Sequence, residues 1–138
     1  MSASESEAAR IDRLVAAARV VREFAVAPYS RFKVGAALLS ASGRIFTGCN
    51  VENASYGLTV CAERVALLKG LSEGERSFVM IAVVAEPEAP TPPCGSCRQL
   101  LWEYCGDLPV VLANLTDVTG RCQMKTLLPE PFDARLLK

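Results

Sequence analysis

Two short motifs hold the side chains best suited to bind a metal ion. Cys94 and Cys97, in the sequence CGSC, place two thiols one helical turn apart, so that both can reach one ion. Alone, such a pair also fits a redox dithiol or two buried thiols. Upstream, the sequence CAE offers the thiol of Cys61 and the carboxylate of Glu63. Because structural zinc sites normally use four protein ligands, three thiols favour a catalytic zinc with one open position.

The sequence contains no histidine. This excludes catalytic groups built on imidazole and zinc sites with a His ligand. A metal site must therefore rest on thiolates and carboxylates, and a general base near neutral pH must be Glu or Asp. We expect Glu63 to be that base, because a residue two positions beyond a ligand can reach a water in the open position.

Length and charge indicate a globular chain with a small substrate. At 138 residues the chain fits one domain, residues 1–138, and can bury a core. Its 15 basic and 15 acidic residues balance, so charge gives no indication of a nucleic-acid or membrane partner. We expect a cytoplasmic protein, because no membrane span or signal-peptide pattern is apparent. Six cysteines then favour a metal site or catalysis over disulfides.

The elements that must position these motifs alternate between helix and strand. The spacing of apolar residues predicts helices over residues 5–25, 61–71 and 94–104. Strands are predicted over residues 34–39, 44–49, 79–85, 110–113 and 121–124, with a turn at 117–120. This order predicts an α/β fold, a three-layer α/β/α domain with a mixed central sheet. Both cysteine motifs then lie at helix N-termini, and the polar segment 50–60 is a candidate binding loop.

The spacing of the metal-binding motifs matches a known enzymatic signature. Zinc-dependent deaminases have a ligand, one residue, a Glu and, further along, Pro-Cys-x-x-Cys; the first ligand is His or, in an all-cysteine version, Cys. CAE at residues 61–63 and PCGSC at residues 93–97 fit the all-cysteine version. That version is the one a chain without histidine can use.

Motifs outside the metal site resemble the small cytidine deaminases. They are YSRFKVGAAL at 29–38, GCNVENASY at 48–56, CAER at 61–64, PCGSCRQ at 93–99 and LLP at 127–129. The resemblance extends from residue 29 to residue 132 and is most specific at the NVENA segment of the polar loop. It implies the cytidine-deaminase-like fold, a Zn²⁺ cofactor and hydrolytic deamination of cytidine and 2′-deoxycytidine to uridine and 2′-deoxyuridine in pyrimidine salvage.

The resemblance also implies roles for the catalytic residues. Cys61, Cys94 and Cys97 hold the zinc ion. Glu63 takes a proton from water, delivers it to N3 of the base and assists the departure of ammonia from C4. Arg64 donates hydrogen bonds to the thiolates. A charge count agrees, because zinc with three thiolates carries about −1, and Arg64 with two helix N-termini of about +0.5 each offsets it.

The substrate contacts follow from the same resemblance. Phe32 packs on the base, and the backbone of Ala62 contacts the pyrimidine edge. Asn50 and Glu52 grip the 3′-hydroxyl of the ribose. The family forms homotetramers in which neighbouring subunits complete each pocket, and we expect Phe132 to be such a contributed residue. The expected partner is therefore a nucleoside and further copies of this chain, with no nucleic acid and no membrane.

Other functions stay open at this stage. A deaminase for another amino-pyrimidine or a purine is disfavoured by the pair Asn50 and Glu52, and a polynucleotide deaminase by the short, neutral chain. A zinc-stabilised interaction module would close the metal site with a fourth ligand, for instance Cys105. Two single residues also have alternative roles. Arg64 could form a salt bridge on the surface, and Phe32 could belong to the core. Cys49, Cys105 and Cys122 receive no role.

Overall fold

The computed structural model describes residues 5–137, and a five-stranded mixed sheet forms its centre. The strands are β1 (Val34–Ser40), β2 (Ile45–Cys49), β3 (Phe78–Ala85), β4 (Pro109–Ala113) and β5 (Val118–Gln123). They lie in the order β2-β1-β3-β4-β5. The β3–β4 pair is parallel and the other pairs are antiparallel. The predicted mixed sheet is thus confirmed.

Helices cover both faces of the sheet. They are α1 (Glu7–Arg22), α2 (Ala62–Ser72), α3 (Gly95–Cys105) and the short α4 (Met124–Leu127). Alternate strand residues face opposite sides, so that Leu38 and Ile81 pack with α2 and α3, whereas Leu39 and Met80 pack with α1. This is the three-layer arrangement expected from the sequence. None of the helices described is long and apolar enough to cross a membrane.

The predicted bounds differ most from the structure at the first helix and at the last strand. Helix α1 is shorter than predicted at both ends. Ser6 caps its first turn by accepting a hydrogen bond from the amide of Ala9, and beyond Arg22 the amides of Phe24 and Ala25 bond three residues back, which ends the α-helix.

The predicted turn at 117–120 is wrong, since β5 already begins at Val118, and the strand predicted at 121–124 starts too late and ends one residue too far, since Met124 begins α4. Asn114 makes the turn earlier, because its side-chain oxygen accepts hydrogen bonds from the amides of Thr116 and Asp117.

Two glycines allow helices to lie directly against the strands. A Cβ built at Gly35 in β1 would be 2.1 Å from the carbonyl oxygen of Ala18 in α1. A Cβ built at Gly48 in β2 would be 2.4 Å from the carbonyl oxygen of Ala62 in α2. Gly35 at the start of β1 pairs with Cys49 at the end of β2, so both close approaches occur at the same end of this strand pair. The candidate site lies at this end of the sheet.

Candidate active site

Three cysteines from two helix N-termini converge on one point. Cys61 is the N-cap residue of α2, Cys94 is the N-cap residue of α3, and Cys97 lies in the first turn of α3. Their sulfur atoms all lie within 4.8 Å of one another, and Cys61 and Cys94 are 3.7 Å apart. Two thiolates at about 2.3 Å from a tetrahedral zinc ion are about 3.8 Å apart, so this donor set fits zinc.

The cluster has three protein ligands rather than four. Across residues 5–137, no further Cys, Asp or Glu belongs to this group, and Cys105 therefore does not close it. A zinc site with three protein ligands keeps a position for water or substrate. The arrangement favours a catalytic centre over a purely structural one.

The surroundings of the cluster favour thiolates. The pKa of Cys61 is lowered to about 6, chiefly because the Cys97 thiol donates a hydrogen bond to it; Cys94 and the positive charge of Arg64 act in the same direction. The Nε atom of Arg64 is buried and has no hydrogen-bond partner within the part of the chain described. A buried cationic donor without a partner fits a cluster that carries net negative charge when metal is bound.

Glu63 is a buried carboxyl group beside the cluster. It is the second residue of α2 and only 5% exposed. Burial, with a smaller contribution from negative charge on Cys61, raises its pKa to about 7. A carboxyl group that titrates near neutral pH can both accept and donate a proton there.

A cavity of about 240 Å³ opens beside Cys61, Cys94 and Glu63. The residues expected to bind substrate that line it are Phe32, Asn50, Glu52 and Ala62. Ser30, Val34, Thr59 and Thr91 also line it and were not singled out from the sequence. Ser30 lies inside a family motif and Thr59 lies between two of them, so the motifs could have identified both residues. Thr91 lies in a proline-rich loop that carries no such pattern.

Asn50 and Glu52 hold the loop that carries Phe32. The side-chain oxygen of Asn50 accepts a hydrogen bond from the amide of Val34 (2.8 Å), and its nitrogen donates to the carbonyl of Phe32 (2.7 Å). Glu52 accepts hydrogen bonds from the amide of Ser30 (3.1 Å) and from its hydroxyl, and these hold the pKa of Glu52 below its usual value. Each side chain keeps hydrogen-bonding capacity for a ligand, since the amide has a second N–H and the carboxylate further lone pairs.

Phe132 does not line this cavity. The residue is 57% exposed, and its carbonyl accepts a hydrogen bond of 2.6 Å from the side chain of Gln99 in α3. The next residue, Asp133, is buried and accepts a hydrogen bond from the indole of Trp102. The backbone is thus fixed on α3 while the residue remains largely exposed. Any role of Phe132 in a pocket would have to be in a neighbouring copy.

Comparison with known proteins identifies similar chains. The family model of the cytidine and deoxycytidylate deaminase zinc-binding region matches residues 9–113. A cytidine deaminase of Halalkalibacterium halodurans is 52% identical over 122 residues, which cover 88% of this chain and 92% of that protein. A cytidine deaminase of Sporosarcina psychrophila is 48% identical over 123 residues, which cover 88% of this chain and 90% of that protein. The crystal structure of cytidine deaminase from Burkholderia pseudomallei superposes with a TM-score of 0.82 at 52% identity, covering 88% of this chain and 98% of that one.

Proposed function

Since this chain belongs to the cytidine and deoxycytidylate deaminase family of zinc hydrolases, we propose that it deaminates cytidine and 2′-deoxycytidine at the cavity beside Cys61, Cys94 and Cys97. The reaction replaces the amine at C4 with a carbonyl oxygen, consumes one water and releases ammonia. The observation that carries the proposal is the buried Glu63 carboxyl group next to three converging sulfurs with no fourth protein ligand among the described residues. Pyrimidine salvage is the corresponding metabolic role.

Glu63 carries out the proton transfers. When bound, zinc supplies a Lewis acid that lowers the pKa of a coordinated water. Glu63 would accept a proton from the attacking water, because a pKa near 7 makes both its ionised and its protonated forms accessible at neutral pH. It then delivers the proton to N3 of the cytosine ring and assists departure of the amine from C4. One carboxyl group thus serves as base and as acid in turn.

The cavity wall supports binding of a nucleoside. Phe32 and Val34 offer apolar surface on which a pyrimidine ring can pack. Ala62 opens α2, where backbone N–H groups of the first turn have no partner within the helix and can bind the polar edge of a base. The free hydrogen-bonding capacity of Asn50 and Glu52 suits the ribose 3′-hydroxyl.

Arg64 has a proposed electrostatic role. Its Nε is buried and has no hydrogen-bond partner among residues 5–137, and its charge lowers the pKa of Cys61. Donation of hydrogen bonds to the thiolates would reduce the negative charge that three sulfurs place on the metal, and so keep the metal an effective Lewis acid.

We also propose that the chain acts as one domain, in the cytoplasm and as a homotetramer. Large apolar side chains lie on the surface of the isolated chain, among them Phe24 (72% exposed), Tyr56 (77%) and Leu137 (75%). Contact with further copies would bury such groups. The exposed Phe132, with its backbone fixed on α3, is suited to reach a neighbouring pocket.

A spectrophotometric assay tests the proposed reaction. Cytidine absorbance should fall when the protein is added, the loss should stop with a zinc chelator, and it should resume when zinc is restored. Glu63→Gln should keep its zinc and lose about 10²- to 10⁴-fold in kcat. Glu103→Gln, at an exposed position of α3, is the matched control and should behave as wild type. Retained turnover in Glu63→Gln would rule out the proton-transfer role.

A further inference from the structure

Arg22 is a buried charged residue that the proposed reaction does not use. It is the last residue of α1 and only 8% exposed. Its Nε donates a hydrogen bond to the carbonyl of Lys33 (3.2 Å), and its Nη1 bonds to the carboxylate of Glu23 (3.0 Å). Glu23 itself is largely in water, with a side chain 65% exposed. The guanidinium therefore spans from the surface to the backbone just before β1.

A second side chain, that of Asn50 just after β2, holds the residues on both sides of Lys33. Asn50 bonds to the carbonyl of Phe32 and to the amide of Val34, the two neighbours of Lys33. Arg22 bonds to the carbonyl between them. Three consecutive residues are thus fixed by two side chains, and the first and last of the three line the cavity.

The packing of α1 against β1 brings Arg22 to this place. A Cβ built at Gly35 would lie 2.8 Å from the Cβ of Arg22 and 2.9 Å from its backbone nitrogen. The absence of a side chain at Gly35 lets the end of α1 approach the start of β1. The guanidinium of Arg22 then reaches the carbonyl of Lys33, which precedes Gly35 by two residues.

Stability alone does not account for an arginine at this position. Removing a guanidinium from water is unfavourable, and an ion pair with the largely exposed Glu23 contributes little to stability. The end of α1 would pack on β1 with an apolar residue as well. What an apolar residue cannot do is donate a hydrogen bond to the carbonyl of Lys33.

We propose that Arg22 is a positioning residue for substrate binding. By fixing the carbonyl of Lys33, it holds Phe32 and Val34 in place as the wall on which the nucleoside base packs. Arg22 itself touches no substrate and acts through the backbone of Lys33. This inference rests on the proposed function of the cavity. Because the wall contacts the base in the ground state and in the transition state alike, its loss raises KM and leaves kcat unchanged.

Arg19 provides a matched control. It lies on the same helix, one turn earlier, and its Nε donates a hydrogen bond of 3.0 Å to the carbonyl of Asn114. Asn114 does not line the cavity. Arg22→Met and Arg19→Met therefore remove the same kind of bond from the same helix, but only the first bond leads to the cavity wall.

The experiment compares the two variants as full-length, zinc-loaded protein. Arg22→Met should raise KM for cytidine about tenfold with kcat within about twofold, and Arg19→Met should change neither. Hydrogen exchange of the segment 29–38 should become faster in Arg22→Met alone. Arg22→Lys, which keeps a donor and a charge, should return KM to within about threefold of wild type.

Several outcomes would overturn the inference. They are a wild-type KM in Arg22→Met, equal changes in both variants, or a loss confined to kcat. If Arg22→Met does not fold, Arg22→Leu takes its place under the same criteria, because leucine also has no donor for the carbonyl of Lys33. Failure of the proposed function is a separate result: wild-type protein would not turn over cytidine, while the exchange measurement would still report whether Arg22 holds the segment.

Discussion

Gly48 in β2 lies against Ala62, the first residue of α2, so closely that a Cβ at Gly48 would be 2.4 Å from the carbonyl oxygen of Ala62. The same Cβ would be 2.6 Å from the amide nitrogen of Ala66. Ala62 stands between Cys61 and Glu63 in the chain. The positions of one thiol of the metal cluster and of the proposed proton-transfer group therefore depend on the absence of a side chain in the neighbouring strand.

Gly48→Ala should disturb stability and metal binding together. The added methyl group must push the first turn of α2 away from β2, and overpacking of this kind costs about 1–3 kcal/mol. Urea denaturation should show that loss, and zinc should pass to a competing chelator more readily than from wild type. Gly57→Ala is the control, since a Cβ at Gly57 meets nothing within 4 Å. Unchanged zinc retention in Gly48→Ala would contradict the link between this contact and the cluster.

Arg64→Ala should weaken catalysis more than metal binding. The three sulfurs can still hold zinc, but the buried positive charge that offsets them is gone, and the metal becomes a poorer Lewis acid. Loss of such an outer partner typically lowers activity about 10- to 100-fold. Metal analysis and kcat measured on the same preparation check this, with Arg64→Lys expected to lie between wild type and Arg64→Ala. Unchanged turnover in Arg64→Ala would refute the charge compensation.

The sequence predicted the parts of this molecule that depend on local pattern. The mixed sheet and its helices follow from apolar periodicity, and Cys61, Cys94 and Cys97 follow from short motifs at helix starts. The start of β5 was missed, because the side chain of Asn114 determines where the turn forms.

The contacts around the cavity were harder to predict for a different reason. Arg22 has no sequence signal, since its partner Lys33 is close only after α1 has packed on β1. Asn50 could be identified as a binding residue from the NVENA motif, but its bonds to Phe32 and Val34 require the pairing of β1 with β2. Roles that depend on contact between distant segments need the fold itself.

Asn50→Asp should destabilise the protein and raise KM. Aspartate keeps the oxygen that accepts from Val34 but loses the N–H that donates to Phe32, and it places a carboxylate against that carbonyl. A buried acceptor left without its partner costs about 1–3 kcal/mol. Urea denaturation and steady-state kinetics on cytidine measure the two effects.

Asn114→Asp is the matched control for Asn50→Asp. Both asparagines are 9% exposed. The bonds of Asn114 to Thr116 and Asp117 use its side-chain oxygen as acceptor, which aspartate retains. Its free energy of unfolding should therefore change less than that of Asn50→Asp. Equal destabilisation of the two variants would show that the donor to Phe32 has no special importance.

Asp133→Asn should remove part of the acid sensitivity of folding. Hydrogen bonds from the side chains of Arg135 and Trp102 hold the pKa of Asp133 well below its usual range. Because the folded-state pKa lies below the unfolded value of about 3.9, the ionised carboxylate contributes stability above about pH 4, and this contribution is lost as the pH falls towards the folded-state pKa. The difference in unfolding free energy between wild type and Asp133→Asn should therefore be constant near neutral pH and shrink below about pH 4.

Urea denaturation of zinc-free protein across this pH range measures that difference, and protonation of the thiols cancels because both proteins carry the same cysteines. Asp12→Asn, at an exposed position of α1, is the control, and its difference should change with pH less than that of Asp133→Asn. If the Asp133→Asn difference stays constant into the acid range, the bonds of Arg135 and Trp102 do not favour the ionised carboxylate in solution. The tail that carries Phe132 would then be held on α3 by the hydrogen bond from Gln99 instead.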